Sequence, residues 1–254
     1  MKFESKNPFF KTKSFKNAES VSHAESGILV REEPMTIAGA INKSFILMGL
    51  LLTTASLSWY LAATGFNATI LILGGAIIGF IMVLIASFKP HTSPYIAPGY
   101  ALFEGLFIGG ISAMFEAMYP GLVIQAVAAT FVTFIVCLGL YKYKIVQVTE
   151  RFKSVVIGAT LAIASYYLLS WVLSFFIDFQ PIHHGNSILS IGVSVFVIII
   201  AALNLFLDFD MIEKGAEQEM PKYMEWFSAM GLMITLVWLY IEFLRLLSKL
   251  SSRD

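Results

Sequence analysis

Seven runs of about twenty apolar residues, joined by links of three to twelve residues, leave this chain few ways to fold. The runs cover roughly 42–63, 68–88, 96–118, 121–141, 154–177, 187–210 and 226–248. A helix rises ~1.5 Å per residue, so about twenty residues cross the ~30 Å hydrocarbon core of a bilayer. Lipid offers no partner to a backbone amide, and a helix satisfies its own. The links, "TGFN", "KPHTSP", "YPG", "KYKIVQVTERFK", "DFQPIHHG" and "EKGAEQEMPKYM", each carry the Gly, Pro or charge that ends a helix. Links this short force consecutive spans to run antiparallel in one bundle. The expected fold is an all-α integral membrane protein, a bundle of seven transmembrane helices. With only 13% charged residues and a mean hydropathy of +0.77, the chain lies far from a soluble domain, which is about a quarter charged.

Residues 1–38 are different in kind. They are polar, mixed in charge and without a sustained period, and read as a disordered cytoplasmic tail. They lack the apolar core and small-residue cleavage site of a signal peptide. Phe9, Phe10 and Phe15 offer apolar contacts there. The membrane domain is expected over 39–250, which leaves no room for a second soluble domain.

Positive charge orients the bundle. Counting the tail as far as Lys43 and the second, fourth and sixth links, one side holds fourteen Lys and Arg. The other side holds three, Arg245, Lys249 and Arg253, all at the C-terminus. This places the N-terminus in the cytoplasm. Seven full crossings put the C-terminus outside, whereas a last segment that dips in and returns puts it inside. The patterns "GAIIG" (Gly75, Gly79) and "GLFIG" (Gly105, Gly109) let helices approach closely. The single cysteine, Cys137, excludes an internal disulfide and a cysteine-based zinc site, and reads as a packed core side chain.

Function is sought where charge is expensive. Glu104, Glu116, Asp208, Asp210, Glu242 and Arg245 lie in or near the spans. Glu116, just before "YPG", reads as interfacial. Glu104 is deeper, in "ALFEGLFIGG", where the glycine after it lets a neighbouring backbone come near. Asp208 and Asp210 are two residues apart, about 200° around a helix, so they cannot share a face; both fall near the cytoplasmic end of span six, where the plain reading is a solvated helix end, and Asp210 is the better candidate for it. Glu242 is flanked by apolar residues, with Arg245 three positions on and able to pair with it. If Glu242 instead meets an acid from the sixth span, two carboxylates in low dielectric cannot both stay ionised, and the pair shares a proton. Deprotonated, the same oxygens suit a hard cation such as Ca²⁺.

The blocks "APGYALFEGLFIGGIS", "YPGLVIQAVAATF", "LNLFLDFDMIEKG" and "EWFSAMGLMITLVWLYIEFLRLL" resemble the Bax inhibitor-1 family, also called the transmembrane Bax inhibitor motif family, and its bacterial branch. The likeness covers about residues 36–250. It implies a seven-helix fold in which the last helix is central, and a pH-sensitive calcium leak gated by an acid near the end of span six and an acid in span seven. The matching positions are Asp208 in "FLDF" and Glu242 in "LYIEF", with Asp210 a substitute for the first; both matched acids are expected to hold Ca²⁺. Glu242 stands where relatives carry Asp. The basic cluster that relatives carry after span two is reduced here to Lys89. Asp208 and Glu242 are 34 residues apart, so direct pairing requires span six to continue toward Met220 or span seven to begin late.

Other seven-span or protease readings fail on particular residues. A rhodopsin needs a lysine deep in the last span, and Lys249 is at its end. A zinc protease needs a motif such as HExxH, which His23, His91, His183 and His184 do not form. "FLDFD" is not the GxGD of an intramembrane aspartyl protease. No catalytic residue and no cofactor are expected. Ca²⁺ enters as the permeant or bound ion, with H⁺, lipid and other membrane proteins as partners and no nucleic acid. The alternative is a non-conducting regulator that binds other membrane proteins. The bacterial-branch likeness points to the bacterial inner membrane.

Overall fold

The computed structural model describes residues 33–176, 185 and 187–252. Seven long helices carry the chain: α1 (Ile37–Ala63), α2 (Ala68–Phe88), α3 (Ser93–Met118), α4 (Leu122–Lys142), α5 (Glu150–Leu173), α6 (Ile188–Glu217) and α7 (Met224–Ser251). All seven are long and apolar enough to cross a membrane. The helical unit begins at Pro34. The tail with Phe9, Phe10, Phe15 and His23, and the pair His183–His184, lie outside the described residues.

Helix starts follow local chemistry. Thr36, Asn67, Thr149 and Ser187 each accept a hydrogen bond from a backbone amide in the first turn of α1, α2, α5 and α6. These side chains satisfy amides that have no carbonyl partner within the helix. At α4, Gly121 takes φ +82°, a left-handed turn open to glycine, and no side chain of its own caps the helix. The Glu116 carboxylate performs that task from α3. It accepts from Gly121 N (2.7 Å) and Val123 N (3.2 Å). The interfacial acid of the sequence is thus a cap borrowed from the preceding helix.

The last helix is the hub. Two thirds of its apolar stretch (67%) is buried, against at most 39% in any other span. It packs on α1, α3, α4 and α6. Phe45, Phe80, Phe88 and Phe175 stand outward at 63–83% exposure, as side chains facing lipid do. The glycine patterns act as close-approach points. A Cβ on Gly105 or Gly109 would overlap α1 near Leu51–Ala55, and one on Gly75 would overlap the α3 backbone at Phe103 and Phe107. So α3 is held tightly between α1 and α2. Helix α7 is one unbroken helix of 28 residues, about 42 Å long, with no return. Helix α6 outlasts its apolar run and continues to Glu217. Its charged extension is held by Lys214 on Asp210 one turn away, and by a hydrogen bond from the Tyr141 hydroxyl to Glu213.

Candidate functional site

Asp208 and Glu242 both face the contact of α6 with α7, at different heights. Asp208 is 8% exposed. One carboxylate oxygen stands 3.6 Å from where a Cβ on Gly231 would be, and the Thr235 hydroxyl lies against the group. Its Oδ2 is buried without a well-formed hydrogen bond. One turn back on α6, Asn204 Nδ2 donates to Thr160 Oγ1 of α5 at 2.8 Å.

Glu242 is 1% exposed. Its Oε1 accepts from Arg245 Nη1 at 3.0 Å and from the Tyr167 hydroxyl of α5 at 3.3 Å. Arg245 lies over the Tyr167 ring, 5.3 Å from its centroid. The Trp238 indole lies against the carboxylate, whose Oε2, like Asp208 Oδ2, is buried without a well-formed hydrogen bond. One turn beyond Arg245, Lys249 is buried, donating to Ser194 Oγ (2.7 Å) and to the Ser190 carbonyl (3.2 Å).

The structure does not bring Asp208 and Glu242 together. Asp208 lies at the level of Gly231–Thr235, and Glu242 is seven residues past Thr235, about 10 Å along α7. Ile163, Val197 and Ile200, with Leu203 and Trp238 packed on them, form an apolar cluster in this part of the α5–α6–α7 seam. Continuation of α6 to Glu217 does not produce the pairing, because the level of Asp208 on α7 is set where it meets Gly231. The two acids thus stand at separate heights on the α6–α7 contact. Among the described residues no three His, Cys, Asp or Glu side chains gather as a metal site.

Asp210 is not the solvated end of a helix. It is as buried as Asp208, at 7%, but turns toward α5 and accepts from Lys153 and Lys214, each at 2.8 Å. Glu104 is buried on α3 against Gly79 of α2, where a Cβ would come within 2.9 Å of its carboxylate. The second glycine of "GAIIG" therefore makes room for an acid. Lys89 is exposed after α2, and no ion pair joins it to an acid among the described residues.

One acid escaped the sequence reading. Glu225, in the first turn of α7, is fully buried. Its Oε1 accepts from Thr36 N (3.0 Å) and Thr36 Oγ1 (2.9 Å), and lies 3.2 Å from Lys222; Oε2 stands 3.8 Å from Lys43. Beside it, Met35 N donates to Met220 O at 2.7 Å, and Pro34 bridges to Pro221. The entry to α1 is thereby tied to the start of α7. A carboxylate in a first helical turn is ordinary chemistry, so nothing local marked it. Asn204 was more legible, since "NLFLD" puts it one turn from Asp208 on the same face.

A family model described as Bax inhibitor 1 like matches residues 7–252, nearly the whole chain. The chain belongs to the Bax inhibitor 1 like family. No curated protein matches it. The matched residues include all seven spans.

Proposed function

We propose that this Bax inhibitor 1 like protein is a pH-sensitive leak for Ca²⁺ along the α5–α6–α7 seam, in a bacterial cytoplasmic membrane with the N-terminus inside. The observation that carries this reading is the pair of buried carboxylates, Asp208 on α6 and Glu242 on α7, at two heights of the α6–α7 contact, each with an oxygen that lacks a well-formed hydrogen bond; Glu225 Oε2 also lacks one but stands 3.8 Å from Lys43. Folding leaves such an atom unsatisfied only at a cost of about 1–3 kcal/mol, more when charged. Both groups suit a proton or a passing cation. Polar side chains accompany them: Thr160 and Asn204 near Asp208, then Tyr167, Arg245 and Lys249 near and beyond Glu242. The apolar cluster around Ile200 and Trp238 is the closed gate. Ca²⁺ is the transported ion here, not a resident metal, which agrees with single acids in place of a coordinating cluster. Glu242 is held by Arg245 in this closed form, so opening must exchange that partner for the ion.

The test is reconstitution into liposomes loaded with a Ca²⁺ dye, across pH 5–8, with wild type, Asp208→Asn and Glu242→Gln. The expected result is a pH-dependent flux in wild type that flattens in both variants. Wild type without such flux, or variants with the wild-type profile, would overturn the leak. A silent wild type that captures another membrane protein would favour the regulator.

A further inference from the structure

Helices α1 and α4 both pack on α7 but have no packed interface with each other. Two cavities, of about 880 and 530 Å³, lie in the resulting seam and share Met48, Phe131, Met233 and Leu236 in their walls. The larger is amphipathic. Along its length Ile41, Phe45 and Met48 of α1 face Phe134 and Leu138 of α4, with Leu236 of α7 behind them. At one end the wall becomes basic, with Lys142, Lys144 and Lys214. From Ile37 to Met48 the groove follows about 16 Å of α1, close to half of the ~30 Å hydrocarbon core.

The charges at that end decide the occupant. Two acids line it, Asp210 and Glu213. Asp210 is held between Lys153 and Lys214, whose two charges leave one over to offset the Glu213 carboxylate, which accepts from the Tyr141 hydroxyl. Lys142 and Lys144 are exposed and have no ion-pair partner among the described residues. Lys144 also takes φ 55°, the left-handed region that non-glycine residues seldom enter. The α4–α5 link thus turns at the rim and presents two ammonium groups, unpaired among the described residues, above an apolar slot of one leaflet's depth.

We infer that this seam binds an anionic phospholipid, its phosphate held by Lys142 and Lys144 and an acyl chain lying between α1 and α4 against α7. Basic pockets between membrane helices select anionic headgroups by charge, and a groove of this length takes the chain. The site is separate from the acids of the α5–α6–α7 seam and stands whether or not the protein conducts.

The test uses the full chain in a neutral detergent. Phosphatidylglycerol and phosphatidylcholine are titrated separately and read by native mass spectrometry, with glycerol 3-phosphate as a free-headgroup competitor. Phosphatidylglycerol is expected to bind about tenfold tighter than phosphatidylcholine. The double variant Lys142→Gln/Lys144→Gln should bring the two lipids within about threefold, while Lys89→Gln keeps the preference. Leu138→Trp, which fills the groove, should weaken both lipids. Far-UV circular dichroism and size-exclusion elution show that each variant is folded. Equal binding of the two lipids to wild type, or an unchanged preference in the double lysine variant, would overturn the site. Competition by glycerol 3-phosphate at equal concentration would reduce it to an anion site without a chain and overturn the lipid. A dimer mass lost in Leu138→Trp would place a second copy in the seam and overturn it too.

Discussion

Asp208 and Asp210 are two residues apart on one helix and nearly equally buried, at 8% and 7%, yet they sit in opposite chemistry. Asp210 turns to α5 and is matched by two lysines. Asp208 turns to α7 and has no ion pair among the described residues, only the Thr235 hydroxyl and an oxygen without a well-formed bond. Burial alone therefore says nothing about what an intramembrane acid does. The partner decides: a matched acid holds helices together, and an unmatched one is available to a proton or an ion. Glu225 belongs with Asp210 as an architectural acid: Oε1 takes Thr36 and Lys222, and Oε2, though without a hydrogen bond, faces Lys43. Glu242 stands between the classes, with one oxygen held by Arg245 and one unbonded.

The comparison can be broken most directly at Glu225. Glu225→Ala removes the acceptor for two Thr36 donors as well as the partner of Lys43 and Lys222, which are partly solvated, so stability should fall by about 3 kcal/mol. Thermal unfolding in detergent reads this, and a melting temperature equal to wild type would deny Glu225 its architectural role. Asp210→Ala comes next. Its lysines are partly solvated, which tempers the loss to about 2 kcal/mol. Lys153→Met in the same background should then cost little, because the two side chains form one unit. Glu116→Ala removes a cap for two amides at α4 and should cost about 1 kcal/mol. Asp208→Asn sits at the other extreme. It replaces an unmatched buried carboxylate by a neutral isostere, so stability should change by less than about 0.5 kcal/mol or rise. A fall as large as that of Asp210→Ala would erase the distinction between the two aspartates. Flux measured on the same preparation should lose its pH dependence in Asp208→Asn and keep it in Asp210→Ala, provided the latter is folded.

Much of the architecture was legible from apolar run length. Six of the seven runs lie almost wholly within one helix each, and the fifth overruns α5 by four residues at its end. The errors fall at ends. Helix α6 continues past Asp210 because paired charges extend a helix beyond the point where hydropathy ends, a contribution that hydropathy does not count. The glycine motifs also read correctly as close contacts. What composition could not show is which faces meet. Gly79 reads as packing, but its use is to admit Glu104.

Run length and hydropathy were enough to read seven helices and acids set within them, because lipid imposes length and hydrogen-bond closure on any chain that crosses it. The resemblance of its blocks added the central last helix. The 200° between Asp208 and Asp210 was likewise certain from helical geometry. Which acid is matched and which is not depends on contacts between distant segments. Lys153 reaches Asp210 from 57 residues away, and Thr36 reaches Glu225 across 189. The height of Asp208 against Gly231, and so its separation from Glu242, is set by how α6 and α7 slide past one another. That offset is fixed by packing between helices, and no local pattern in either one encodes it.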